Sequence, residues 1–231
     1  MPIPSIAKVS LVVLAAILLA PTASQAGCTD KPKPGVNWSN CTKTKVIMRD
    51  DEFDGAKFQK ADLSASTLSG SSFKDANFVR ANLTRTSFRG ANLEGANLTK
   101  AFGQRTSFKG ARMSGSTLSK AEILRADFTG ADLTNADLSK AELSRASMAD
   151  ATLDGVSLQH SNISRANFDG ASLAGTNFLG AYMYLARFEG ADLSQAMNLT
   201  EYQLEIACGD EDTKLPNGIA KPASWPCGAD E

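Results

Sequence analysis

The chain has 231 residues, with 24 Lys and Arg against 25 Asp and Glu, and 42% of its residues are hydrophobic. That length suits one or two folded units, and the charge balance excludes an acidic or basic disordered tail. Nothing in the bulk charge points to nucleic acid. Residues 1–26 read as a secretory signal peptide: Lys8, an apolar run from Val9 to Ala20, then Pro21 and small residues leading to a cut after Ala26. The run is well short of the roughly 20 residues that span a bilayer as a helix. An alternative is a lipid-modified Cys28 at the end of Gln25-Ala26-Gly27-Cys28, but Gln25 stands where lipidation sites carry a Leu-like residue, and three cysteines would remain, an odd number for an oxidising compartment. The expectation is an exported protein, periplasmic or secreted.

Beyond the leader a period of five takes over. Every fifth residue from Phe53 to Leu193 is large and apolar (13 Leu, 10 Phe, 2 Ile, 3 Met), with Gly103 as the one exception. The positions two before run from Ala56 to Ala196 as 21 Ala, 4 Ser, 3 Thr and Val156. Five is the period of neither a helix nor an ordinary strand. Residues two apart in an extended segment point the same way, so each pentad offers one small and one large inward residue and then turns. A second period chooses the number of sides: Lys-Ala-Glu-Ile-Leu-Arg-Ala, from Lys120, returns twenty residues later as Lys-Ala-Glu-Leu-Ser-Arg-Ala. Side chains that recur every four pentads share a column, so each coil has four sides. The fold class expected is an all-β solenoid in which stacked coils share one core.

Units such as Ala91-Asn92-Leu93-Glu94-Gly95, Ala131-Asp132-Leu133-Thr134-Asn135 and Ala191-Asp192-Leu193-Ser194-Gln195 resemble those of the pentapeptide repeat family. The resemblance implies a right-handed quadrilateral β-helix. It covers 29 consecutive units over residues 51–195. Extended backwards, the register puts Trp38 and Met48 in the large slot and Val36, Cys41 and Val46 in the small one, with Lys43 as a misfit. The rod then begins near Val36 and has roughly eight coils, about 38 Å at the usual strand spacing. One inward column reads Met48, Leu68, Phe88, Phe108, Phe128, Met148, Phe168, Phe188 and is read as core. Gly103 leaves a hole in its own column, and the neighbouring Phe102 suggests a bulge that swings the ring inward.

Both ends of a solenoid need caps. Residues 27–50 are assigned to an N-terminal cap and first coil, and residues 196–231 to a C-terminal cap. There Thr200 as N-cap, Gln203 as capping-box partner and a Leu199–Leu204 staple predict a short helix over Glu201–Cys208, stopped by Gly209. Cys28 and Cys41 lie at one end of the rod and Cys208 and Cys227 at the other, so its length allows only the local pairing, and it rules out a zinc site built from all four. Each disulfide closes a loop of a size worth about 3 kcal/mol, and the pair agrees with export.

The chain offers little material for catalysis. It has one histidine, His160, on an outer corner, and no Ser-His-Asp or Cys-His set can be assembled. No catalytic residue, cofactor or metal site is assigned, and an enzyme is not expected. Sorting by column does reveal one surface feature. The last pentad position of one side reads Lys60, Arg80, Lys100, Lys120, Lys140, His160, and that of the next side reads Ala65, Arg85, Arg105, Arg125, Arg145, Arg165. The other two corners are mainly Gly. These ten cations form a candidate polyanion-binding stripe, with Asp62, Glu122 and Glu142 between its two edges; the bland reading is a solvated corner. The function expected is a non-catalytic exported scaffold or interaction module that binds an anionic polymer or surface. Alternatives are a protein-binding module of unknown partner and a membrane-tethered lipoprotein; self-association stays open, and no specific nucleic-acid recognition is expected. Some pentapeptide repeat proteins mimic DNA and bind topoisomerases in the cytoplasm, a role that the leader and the basic stripe disfavour.

Overall fold

Each pentad turns the chain by one side of a square. In the computed structural model, which describes residues 27–227, the small residue's amide closes the turn by donating to the large residue three positions earlier, as Ala61 N does to Phe58 O at 3.0 Å. The residue between them has a positive φ, for example +56° at Lys60. Positive φ at the third turn position is the mark of a type II turn. Where Asn or Asp precedes the large residue, its side chain fixes the side: Asn82 Oδ1 accepts from the Thr84 amide at 3.1 Å, and Asp127 Oδ1 from Thr129 at 3.0 Å. That local bond is why the Ala-Asn/Asp-Leu order recurs.

Coils pair in parallel with a constant offset of twenty. Asn37 bridges to Lys57, Thr42 to Asp62, Ile47 to Thr67 and Glu52 to Ser72, and these four ladders continue up the rod. They define four faces, numbered here I to IV from the pentads beginning at Ala56, Ala61, Ser66 and Ser71. The architecture is a right-handed quadrilateral β-helix. On face II the ladder lengthens into two short strands, β1 (Phe102–Gln104) and β2 (Glu122–Leu124), paired in parallel. The leader assigned to residues 1–26, and residues 228–231 of the C-terminal cap, lie outside the described residues.

The core is one continuous column of buried side chains running from Val36 to Leu204 and Ala207. Phenylalanines in the same slot of successive coils stack face to face: Phe88 on Phe108 at 5.3 Å and Phe108 on Phe128 at 4.9 Å between ring centroids. The rings repeat at the coil spacing because each sits in the same backbone setting one strand higher. Most serines and threonines in the small slot are satisfied, with the Ser116 hydroxyl left without a partner among the described residues. Thr86 Oγ1 donates to Leu63 O and Thr106 Oγ1 to Leu83 O, both at 2.8 Å, reaching a carbonyl of the coil before. At the N-terminal end the misfit Lys43 places its ammonium 4.1 Å from the centroid of the Trp38 ring, a cation–π contact in place of an inward apolar residue. Met48 and Val46 there are only half-buried.

Two expectations need correction. Phe102 does not swing inward. It stays on the outer surface, 44% exposed, and keeps its ladder pairing with Asn82 and Glu122. The space inside is taken up by backbone instead: a Cβ on Gly103 would lie 2.8 Å from the Leu83 carbonyl carbon and 2.9 Å from both the Thr84 amide and the Thr106 hydroxyl. The C-terminal helix is also shorter than expected. α1 covers Glu201–Glu205 with Ile206 as its C-cap, and the chain leaves the helix before Gly209 because Cys208 rejoins the ladder opposite Arg187. The Thr200–Gln203 capping box is present, and Leu199 and Leu204 are both buried.

The C-terminal end is closed by polar groups that stand in for a missing coil. In lower coils the carbonyl of the small residue on face II accepts from a backbone amide one coil on, as Ala121 O does from Glu142 N at 2.8 Å. At Ala181 that donor is the Gln203 side chain, whose Nε2 lies 2.9 Å from Ala181 O and 2.9 Å from Phe178 O. Met197, Cys208 and Lys214 complete the ladders on the other three faces. Disulfides join Cys28 to Cys41 and Cys208 to Cys227, with Cα separations of 5.6 and 5.4 Å.

Candidate functional site

The ten stripe cations occupy the turn position of their pentads, at the two edges of face II. Lys60, Arg80, Lys100, Lys120 and Lys140 line the edge shared with face I; Arg85, Arg105, Arg125, Arg145 and Arg165 line the edge shared with face III. All are exposed. All ten have φ between 55° and 59°, the left-handed region. A β-carbon there costs roughly 1–2 kcal/mol relative to the right-handed region. The other two edges mostly avoid that cost with glycine, such as Gly90, Gly110 and Gly130 on one and Gly95, Gly115 and Gly155 on the other. Backbone preference therefore does not account for the cations.

Local charge neutralisation does not account for them either. Among the described residues five ion pairs form, through Lys33, Lys74, Arg112, Arg187 and Lys214, and none involves the stripe. Two of the three acids on face II turn to amides instead. Asp62 Oδ1 accepts from Ser64 N at 2.9 Å and from Asn82 Nδ2 at 3.1 Å, and Glu142 Oε2 accepts from Asn162 Nδ2 at 2.9 Å. The stripe ends where His160 occupies the first edge. In the next coil that edge carries Gly180, whose Cβ would lie 2.6 Å from His160 Nδ1, and the second edge carries Leu185.

Face II also holds exposed apolar groups that sequence reasoning missed: Phe102, Leu124, Tyr182 and Tyr184. They stand at outward positions that other coils fill with polar residues, Asp, Glu or Asn in one column and Ser, Thr or Gln in the other, and sorting the outward columns as the corners were sorted finds them. Two depressions accompany them. One, of about 300 Å3, lies over Gly103 and is lined by Thr84, Phe102, Gln104, Glu122 and Leu124. The other, of about 470 Å3, lies where face II meets the C-terminal cap and is lined by Arg165, Tyr184, Leu185, Glu205, Ile206 and Ser224. The Arg165 guanidinium sits 6.0 Å from the centroid of the Tyr184 ring, and Tyr182 stacks beside Tyr184 at 6.4 Å.

Acidic groups with shifted pKa lie elsewhere. On face IV, bonds from the Ser194 side chain and amide, helped by Lys214, lower Asp192 to about 2. Asp132 is also lowered: burial pulls it up, but bonds from Thr134 and Ser114 outweigh that. In the C-terminal cap, the Gly190 amide lowers Asp210. These are structural carboxylates holding turns. Among the described residues no group of three or more His, Cys, Asp or Glu could hold a metal ion, and no helix is long and apolar enough to cross a membrane.

Four ladders, a one-small-one-large core and a turn every fifth residue define a pentad-built solenoid. The chain belongs to the pentapeptide repeat family: the pentapeptide repeat region profile matches residues 81–158 and 121–199, and the eight-copy pentapeptide repeats profile matches residues 52–90. No curated protein sequence matches the chain. Among solved structures it is similar to HetL, a pentapeptide repeat protein involved in heterocyst differentiation regulation from the cyanobacterium Nostoc, at 20% identity over 87% of this chain and 91% of that one, TM-score 0.43. It is also similar to full-length QnrB1, a plasmid-mediated fluoroquinolone resistance protein, at 18% identity over 78% and 91%, TM-score 0.43. A pentapeptide repeat protein of the Arabidopsis thaliana thylakoid lumen matches at 27% identity over 55% and 77%, TM-score 0.21.

Proposed function

We propose that the protein is an exported, non-catalytic scaffold that binds an anionic polymer or surface through face II. The observation that carries this reading is the set of ten exposed cations placed at left-handed turn positions and left without ion-pair partners. Cations on one edge recur at the coil spacing, about 4.8 Å, which presents a regular row to a regularly charged ligand. Membership of a family of non-enzymatic repeat scaffolds supports a binding role. Two disulfides are compatible with an oxidising compartment, and the leader-like residues 1–26 argue for export.

The test compares binding to lipopolysaccharide or anionic-lipid vesicles with binding to neutral ones, at low and moderate salt. A variant carrying Arg85→Gln, Arg105→Gln, Arg125→Gln and Arg145→Gln is run in parallel. Wild-type binding should fall steeply as salt rises, as contacts to phosphate do, and the variant should bind weakly at every salt concentration. Equal binding by the two proteins returns the stripe to solvated decoration.

A further inference from the structure

We propose that the polyanion is a glycan, and that face II reads its sugar rings at two recesses with exposed aromatic side chains, one between the cations and one where the stripe ends at the C-terminal cap. This deepens the reading above and rests on it. The central recess lies over Gly103, where the tight approach of Leu83, Thr84 and Thr106 leaves no room for a side chain. Phe102 and Leu124 flank it, 44% and 36% exposed, and Thr84, Gln104 and Glu122 supply polar groups. Lys100 and Arg105 end the lower of its two strand segments, and Lys120 and Arg125 the upper. The second recess, four coils on from Phe102 or about 19 Å, is the cleft of Tyr184 and Arg165 with Tyr182 alongside.

A sugar ring has an apolar face that packs on an aromatic or aliphatic surface and a rim of hydroxyls that both donate and accept. The recesses match both halves of that chemistry. Glu122 decides between a glycan and a plain polyanion. Its carboxylate has no hydrogen-bond or ion-pair partner among the described residues, and it lies between the edges of a cationic face. A polyphosphate or nucleic-acid backbone would be repelled by it, whereas a sugar hydroxyl donates to it. A flat array of lipid headgroups would not fill a recess. Carboxylates or phosphates carried on the sugars would meet the cations at the edges.

The experiment uses the full chain with its disulfides formed and two soluble probes: polygalacturonate, in which every charge is borne by a sugar, and inorganic polyphosphate, which has none. The substitutions copy residues that the same columns use in neighbouring coils and so leave the fold intact: Phe102→Asn after Asn82 with Leu124→Ser after Ser144, and separately Tyr182→Asn after Asn162 with Tyr184→Ser after Ser164. The expected result is a loss of several-fold to about tenfold in affinity for polygalacturonate in each double variant, the effect of removing an aromatic platform, with polyphosphate binding and its salt dependence unchanged. Wild-type affinity for polygalacturonate in both double variants overturns the glycan inference and leaves the stripe standing. Undiminished binding of both polymers by the four-arginine variant overturns the stripe itself, and the inference with it.

Discussion

A residue with φ near +57° is held where a β-carbon crowds the carbonyl that follows, and the rod repeats that situation along the two edges of face II. The consequences separate function from stability. Arg125→Gly removes the crowding but adds freedom to the unfolded chain, roughly 0.5–1 kcal/mol against roughly 1–2, so the melting temperature should hold or rise while polyanion binding falls. Gly130→Val is the mirror test. Its φ is +63° and a Cβ there has nothing within 4 Å, so the cost is backbone alone, about 1–2 kcal/mol and more for a branched side chain. A lower melting temperature for Arg125→Gly than for wild type would mean that the arginine stabilises the corner, and the case for a binding role would weaken. Asp192 gives a second residue-scale expectation. Its folded pKa of about 2 is depressed from the ordinary 3.8, so the stabilisation it contributes is present above about pH 4 and is lost as pH falls through about 2. Its bonds hold the last turn of face IV and, through an ammonium 3.0 Å away, Lys214. Exchange of the Ser194 and Lys214 amides should therefore accelerate between those pH values, and Asp192→Asn should flatten the profile.

At the scale of elements, α1 is a lid whose fit depends on one side chain. Gln203 completes the capping box and also supplies the donor that a further coil would have given to Ala181. Gln203→Ala therefore loses a cap and leaves the Ala181 carbonyl without a donor, while Phe178 O keeps its bond from the Ala181 amide, together about 2–4 kcal/mol of cap stability. Gln203→Glu, which can still accept from the Thr200 amide but offers the Ala181 carbonyl no donor when ionised, should recover the cap bond and little else. Equal stability of the two variants and the wild type in denaturant melts restricted to a C-terminal probe, Trp225, would show that the lid adds nothing. This element also marks how far the sequence could be read. The capping box spans four residues, so Thr200 and Gln203 announce it locally; the acceptors Ala181 and Phe178 lie 22 and 25 residues back, and only the stacked coils bring them near. Phe102 shows the same limit. The pentad register exposes a vacancy at Gly103, but whether a ring or the backbone fills it depends on how closely coils 83 and 103 approach. The corner cations were legible because they recur in a column, whereas the tyrosines and Phe102 each break a column once.

The whole molecule is a stack with unequal ends. Its stability is close to a sum over coils and their interfaces, so unfolding starts at the more weakly closed terminus. At the C-terminal end three ladders are extended and the fourth is capped by α1. At the other end the amides of Thr42, Ile47 and Glu52 have no backbone partner among the described residues. Ile47 is 73% exposed there. One segment, residues 27–34, approaches this end, with Gly27 so close to Asn37 that a Cβ would lie 2.8 Å from its carbonyl oxygen, and the Cys28–Cys41 disulfide ties it down. Hydrogen exchange should therefore rise from the core of the rod toward Thr42 and Ile47 more steeply than toward Cys208. Replacing Cys28 and Cys41 together by Ser should release the first one or two coils, at a cost of up to about 3 kcal/mol, while amides near Phe108 and Phe128 keep their protection. Replacing Cys208 and Cys227 should matter less to the rod, because the ladders at Arg187 and Asp192 and the Gln203 bonds persist without the link. If the two double variants instead lose protection uniformly along the rod, its coils unfold as one cooperative unit, and the end-first account of its stability is wrong.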